Sequence, residues 1–210
     1  MPLERLVMRL RQPASRAAEL AALRQRLRGE RASVVTEDER ALAAEVARVK
    51  RAVAAAIGGV VSCGACAARQ PWPVGAFTGG ACCAGVTAEL FDDHELAALA
   101  RAGTRPRDLR PPDGDDGHAG CAFRGAHACS LALDHRPARC VRYVCDTLRG
   151  ELHRRGRLDD VERELAELDG AMREFTAVHR ARQDREVLDP VIEAVSEAVR
   201  AAARRGRSSR

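Results

Sequence analysis

The sequence predicts a mainly α-helical protein in which helical N- and C-terminal segments flank an irregular, cysteine-rich metal-binding module. Three observations predict it. Aromatic residues make up only 3% of the chain, so Ala, Leu and Val have to build the core, and they suit closely packed helices better than sheets. Apolar residues recur at three- and four-residue spacing in both terminal thirds. All eight cysteines lie between Cys63 and Cys145, and none outside. The expected organisation is therefore residues 1–59 as N-terminal helices, 60–150 as the cysteine-cluster module, and 151–210 as a C-terminal helical hairpin with a basic tail.

Leu3, Leu6, Val7 and Leu10 repeat at helical spacing, and Leu20, Leu23 and Leu27 resume it after Pro13, with Gly29 as the expected stop. Thr36 and Glu39 stand three apart as a capping box, in which each side chain satisfies the other residue's backbone N–H. Leu42, Val46, Val49, Val53 and Ile57 then share one face until Gly58-Gly59 ends the run. Pro71-Trp72-Pro73 followed by Gly75, Gly79 and Gly80 is loop composition; the lone Trp72 either shields the metal region or plugs a core. Thr87 to Gly103 reads as a short helix capped by Asp92 or Asp93, with Leu96 and Leu99 inward. Residues Thr104 to Gly120 read as a surface loop. Asp113, Asp115 and Asp116 there lack the bidentate Glu that would end a calcium loop, so they are taken as a solvated turn.

From Pro137 a helix is expected through Tyr143 to Leu148, stopping at Gly150. Cys140 and Cys145 would then sit about 140° apart around its axis, which is awkward for one ion unless the helix breaks. Leu158, Val161, Leu165, Leu168, Met172 and Phe175 alternate spacings of three and four, the seam of a coiled coil. A second helix is expected from Asp189 as cap and Pro190 at the first helical position, with Val191, Val195 and Val199 as its stripe. Arg204, Arg205, Arg207 and Arg210 form the tail. Such a hairpin would pack on the N-terminal helices, on a partner protein, or on a second copy as a homodimer.

The net charge of +5 arises in residues 1–57, with 12 basic and 7 acidic side chains; the two later thirds each balance. A basic stripe interleaved with aromatics is absent, which argues against nucleic acid as a partner. Met1 to Pro13 alternates Leu and Val with Arg and has no apolar run of a signal peptide, and no stretch approaches the ~18 uncharged apolar residues of a membrane span. A cytoplasmic setting with reduced thiols, and no membrane partner, is the expectation.

In that setting Cys63, Cys66, Cys82, Cys83, Cys121, Cys129, Cys140 and Cys145 read as metal ligands rather than as disulfides. Thiolate is soft and selects zinc, copper(I) or iron–sulfur clusters over calcium and magnesium. The Cys63-x2-Cys66 step suits two sulfurs on one ion, and eight thiols fit two four-thiolate sites or one site with spare thiols. Arg124, Arg136, Arg139, Arg142 and Arg149 lie close in sequence to half of the ligands and are expected to offset their charge. His127 and His135 lie inside the cluster as alternative ligands, while His94, His153 and His179 read as helix-surface residues.

The order Cys63-x2-Cys66, Cys82-Cys83, Cys121-Ala-Phe123, Cys129-Ser-Leu131, Arg136-Pro137-x2-Cys140 and Cys145 resembles the YkgJ-type cysteine-cluster proteins. The resemblance covers Cys63 to Cys145, and Arg136-Pro137-x2-Cys140 with Cys129 is its most specific part. It implies a zinc- or iron-chelating domain and no settled reaction. The chain departs from the family's pattern where fifteen residues, not two, separate Cys66 from Cys82, and where the expected Arg after Cys140 comes one place later as Arg142. The functional expectation is a metal-binding protein holding zinc or an iron–sulfur cluster. The alternatives are a cluster-dependent redox or protein-modifying enzyme, and a helical interaction protein with a structural metal module. No Ser/His/Asp constellation or phosphate loop points to a particular catalytic chemistry.

Overall fold

A computed structural model describes residues 15–61, 87–113, 121–123 and 129–208, with side chains to residue 200. The described residues are mainly helical and contain no strand. Helix α1, Arg16–Ala32, starts where the Ser15 hydroxyl accepts the backbone N–H of Ala18, and it buries Leu20, Leu23 and Leu27 as their spacing predicts. It runs through Gly29 instead of stopping there, and Ser33 closes it with its N–H on the Gly29 carbonyl. Gly29 sits in an exposed last turn where nothing demands a left-handed residue, so a modest propensity cost is its only effect. The apolar repeat at Leu3–Leu10 lies outside the described residues.

Helix α2, Glu37–Ile57, forms with both arms of the Thr36–Glu39 capping box in place. Val46, Val49 and Val53 are buried on its inner face, and it ends at Gly58, whose φ of 64° only glycine adopts without strain. The expected helix from Thr87 to Gly103 is two elements: α3, Thr87–Leu90, and α4, Asp93–Arg101. The break comes at Asp92, whose carboxylate accepts the Glu95 N–H and restarts the chain as a new helix. Leu96 and Leu99 face inward, and Gly103 at φ 99° ends the run.

The expected helix from Pro137 to Leu148 is also divided. Helix α5, Ala138–Arg142, stops at Tyr143 in extended backbone, and Cys145 is the N-cap residue of α6, Asp146–Arg154. Gly150 lies inside α6 rather than at its end. Glu95 explains why α5 begins where it does: its carboxylate oxygens accept the N–H groups of Ala138 and Arg139 at 2.7 and 2.9 Å. That anchors the first turn to α4.

The C-terminal hairpin is corrected to one helix, α7, Leu158–Ser208, with Pro190 in its interior. Asp189-Pro190 mimics a helix start, but the residues before it, from Ala181 to Leu188, include no glycine or proline to end the preceding helix. Proline removes one backbone donor there, and the surrounding segment is exposed, so water can satisfy the Glu186 carbonyl left over.

Helix α7 packs chiefly along α2, with α4 and α5 in the same layer. Val46, Val49 and Val53 meet Ala97, Ala138, Val141, Leu168 and Phe175 in this central core. A second cluster joins α1 and α4 to Phe91, Leu109, Phe123 and Leu131, with the Phe91 and Phe123 rings 5.3 Å apart. A third joins Leu148 and Leu152 of α6 to Val161 of α7, with Ile57 and Val60 packed against it. Residues from all three segments meet in the central core, and α6 spans residue 150.

Candidate metal centre and the buried polar network

Of the eight predicted ligands, Cys63, Cys66, Cys82 and Cys83 lie outside the described residues, as does His127 and the Arg124 expected beside them. The four described cysteines are thiols, and they fall in different parts of the core. Cys121 is buried in the α1–α4 cluster, and half-buried Cys129 packs against the same cluster. The backbone beside them is joined: the Ser130 N–H bonds the Phe123 carbonyl at 2.9 Å. Burial pushes the Cys121 thiol up to about 11, against the pull of the Phe123 backbone N–H, and negative charge on Cys129 adds to the rise. Cys145 packs instead against the α6 cluster, as Val60 and Val144 do. Cys140 lies in α5, half-buried, within electrostatic reach of Lys50.

Lys50 is itself buried, and its ammonium donates to the Asp134 carbonyl at 3.0 Å. Burial pulls it down to about 8, opposed by the negative charge of Glu95 and Asp134. Among the described residues, no three His, Cys, Asp or Glu side chains converge as a metal site would require. The four described arginines among those expected to offset thiolate charge have partners in the helical body. Arg136 donates to the Leu131 carbonyl, Arg139 bonds Asp92 and the Glu89 carbonyl, Arg142 bonds Asp169, and Arg149 bonds Glu162. His135 is held by the Thr104 hydroxyl, 3.0 Å from its Nδ1.

The polar group that sequence reasoning missed lies between α2 and α7. Glu39 and His179 are fully buried and Arg182 nearly so. One Glu39 oxygen accepts from His179 Nδ1 at 2.8 Å and from Arg182 Nε at 2.9 Å, while the other accepts the Thr36 backbone N–H. Burial would raise the Glu39 carboxyl, but the hydrogen bonds from Arg182, His179 and Thr36 together outweigh it and hold it below its ordinary 4.5. The His179 ring stacks on Phe175 with centroids 5.7 Å apart, and His94 meets its edge at 5.5 Å. His179 is thus a core residue, not the surface residue expected. The missing signal was available: His179 and Arg182 continue the four- and three-residue spacing of the Leu158–Phe175 seam.

Beside this network a cavity of about 480 Å³ opens between α4, α5 and α7. Its acids are already engaged: Asp92 with Arg139, Asp169 with Arg142, and Glu95 with the start of α5. Arg180 instead donates to the Nε2 of His94 at 3.1 Å. Burial, then the Arg180 charge, holds the His94 ring below the ordinary histidine range, so it accepts that bond as a neutral imidazole.

Comparison with protein-family models, curated proteins and solved structures finds no match to the chain. No helix of the described residues is long and apolar enough to cross a membrane.

Proposed function

We propose that this is a metal-binding protein whose segment Cys63–Cys145 holds zinc or an iron–sulfur cluster through thiolates, in two groups. The donor set is soft and anionic, which suits either group and disfavours hard cations. The observation that carries the reading is where the helical body tethers the two ends of the segment bearing Cys63 to Cys83. At its far end, the Thr87 hydroxyl accepts the backbone N–H of Ala122 at 2.9 Å, next to Cys121. Three residues separate Cys83 from Thr87, and those four steps of chain span at most about 14 Å. At its near end, the Val61 N–H bonds Glu151 at 3.1 Å, and Val60 and Cys145 pack on the same cluster. Cys63 follows two residues later.

This arrangement favours Cys82 and Cys83 with Cys121 and Cys129 in one group. It favours Cys63 and Cys66 with Cys145 in the other, Cys140 being the remaining thiol. The vicinal Cys82-Cys83 pair then need not serve both groups, and the fifteen residues after Cys66 bridge the two. The test is metal, sulfide and thiol counting on anaerobically purified protein and on two variants. Cys129→Ser and Cys145→Ser are each expected to lose one metal group and keep the other. Loss of all metal from either variant, or of none from both, refutes the grouping. Protein that carries neither metal nor sulfide refutes the function.

A second reading, as a helical interaction protein, is favoured by the exposed apolar residues of α7 beyond Arg182.

A further inference from the structure

Helix α7 changes character at Arg182. Up to that point one face is buried against α2; from Gln183 onward the helix leaves the core, and Val187, Leu188, Val191, Ile192, Val195 and Val199 are between 53% and 69% exposed. At 100° per residue these six fall within an arc of about 140°, a continuous stripe and not a scatter. The arc lies on roughly the opposite side of the helix from Val161, Leu168, Phe175 and His179 of the seam. The side of α7 that rests on α2 is therefore not the side that bears the stripe. A contiguous apolar stripe of this extent has no use in water.

The charge along the same segment identifies the occupant. Residues 184–197 carry five acids and one arginine; residues 198–210 carry five arginines and no acid. A parallel copy would lay like charge on like. An antiparallel copy lays each half on its complement and also opposes the two helix dipoles. A two-fold axis at Val195 brings Val191 opposite Val199 of the second copy. The same axis brings Asp184, at one end of the stripe, close to the register position of Arg205 at the other. We infer that the α7 extension of residues 183–208 is a self-complementary antiparallel dimerisation helix, whose partner is the same helix of a second copy of this chain.

The test uses the full chain with its bound metal, measured by light scattering and sedimentation over a concentration series. The expected species is a dimer of twice the 22.7 kDa chain mass. Val195→Glu, at the centre of the stripe, is expected to weaken dimerisation at least about tenfold while the melting of the helical body is unchanged. Asp184→Arg and Arg205→Asp are each expected to weaken it, and the double variant to restore it. A chain that stays at 22.7 kDa at all concentrations overturns the inference, including the case in which residues 1–14 of the same chain cover the stripe. A dimer indifferent to Val195→Glu, or a double variant no better than the two singles, overturns it as well.

Discussion

Replacing Glu39 with alanine is the sharpest test of how α2 and α7 are joined. The carboxylate is fully buried and accepts three good hydrogen bonds: from His179 at 2.8 Å, from Arg182 at 2.9 Å and from the Thr36 N–H at 3.1 Å. Its loss strands a buried guanidinium, which typically costs ~3–5 kcal/mol. Arg182 keeps a second partner in half-exposed Glu186 at 2.6 Å, which argues for the lower part of that range. Half of the capping box goes as well, at about 0.5–1 kcal/mol. These effects share groups and do not simply add. A loss of about 3–4 kcal/mol is expected, equivalent to roughly 6–16 °C in melting temperature for a chain of this size. Far-UV circular dichroism with heat and urea measures it, and Arg40→Ala, which breaks an exposed pair with Glu37, is the control at under about 0.5 kcal/mol. The pH dependence follows from the sign of the shift. Because the folded Glu39 carboxyl titrates below 4.5, its contribution is complete above that pH and is lost as pH falls through the lower native value. The gap between wild type and Glu39→Ala should therefore hold steady near neutrality and close in acid. A loss under about 1 kcal/mol, or a gap that does not narrow below pH 4.5, refutes the reasoning.

Two further outcomes are expected. Phe175→Ala removes a fully buried ring from the central core and from the face of His179, and should cost about 3–5 kcal/mol in the same denaturation assays. Chelation of the proposed metal should raise the number of rapidly titrating thiols while most of the helical signal persists, because the central core that joins α2 to α7 holds no cysteine; a coincident collapse of both signals would refute this separation.

What could be read from the sequence was what local physics decides. The Thr36–Glu39 box, the Gly58 stop and the inward faces of α1, α2 and the first part of α7 depend on residues within one or two turns of each other. Errors arose where a local signal competed with a distant partner. Asp189-Pro190 has the chemistry of a helix start, yet no stop precedes it, and the helix continues. The start of α5 after Pro137 was readable, but its end at Tyr143 has no glycine or proline to announce it. The sequence places arginines next to the cysteines, but it does not announce the carboxylates and carbonyls that bond Arg136, Arg139, Arg142 and Arg149 in the fold. For the candidate centre, the sequence lists the thiols but carries no local signal for how they would divide. The proposed division rests on which cluster each flank of the Cys63–Cys83 segment is tied to, through hydrogen bonds spanning 35 and 90 residues that no local pattern announces.

Glu39 also shows how a helix start and a tertiary contact can be made to depend on each other. Its two oxygens divide the work: one closes the first turn of α2, the other holds His179 and Arg182 of α7. An apolar seam of Leu, Val and Phe tolerates sliding by a turn, since one methyl-rich pocket resembles the next. A carboxylate fixed by its own helix's cap does not, because only one register presents both a ring N–H and a guanidinium to it. The polar group sits at the last seam positions before the helix leaves the core, so it sets where the packed part of α7 ends and where the exposed stripe begins. The register of that projecting helix against α2 is therefore referred back to a single residue in the first turn of α2.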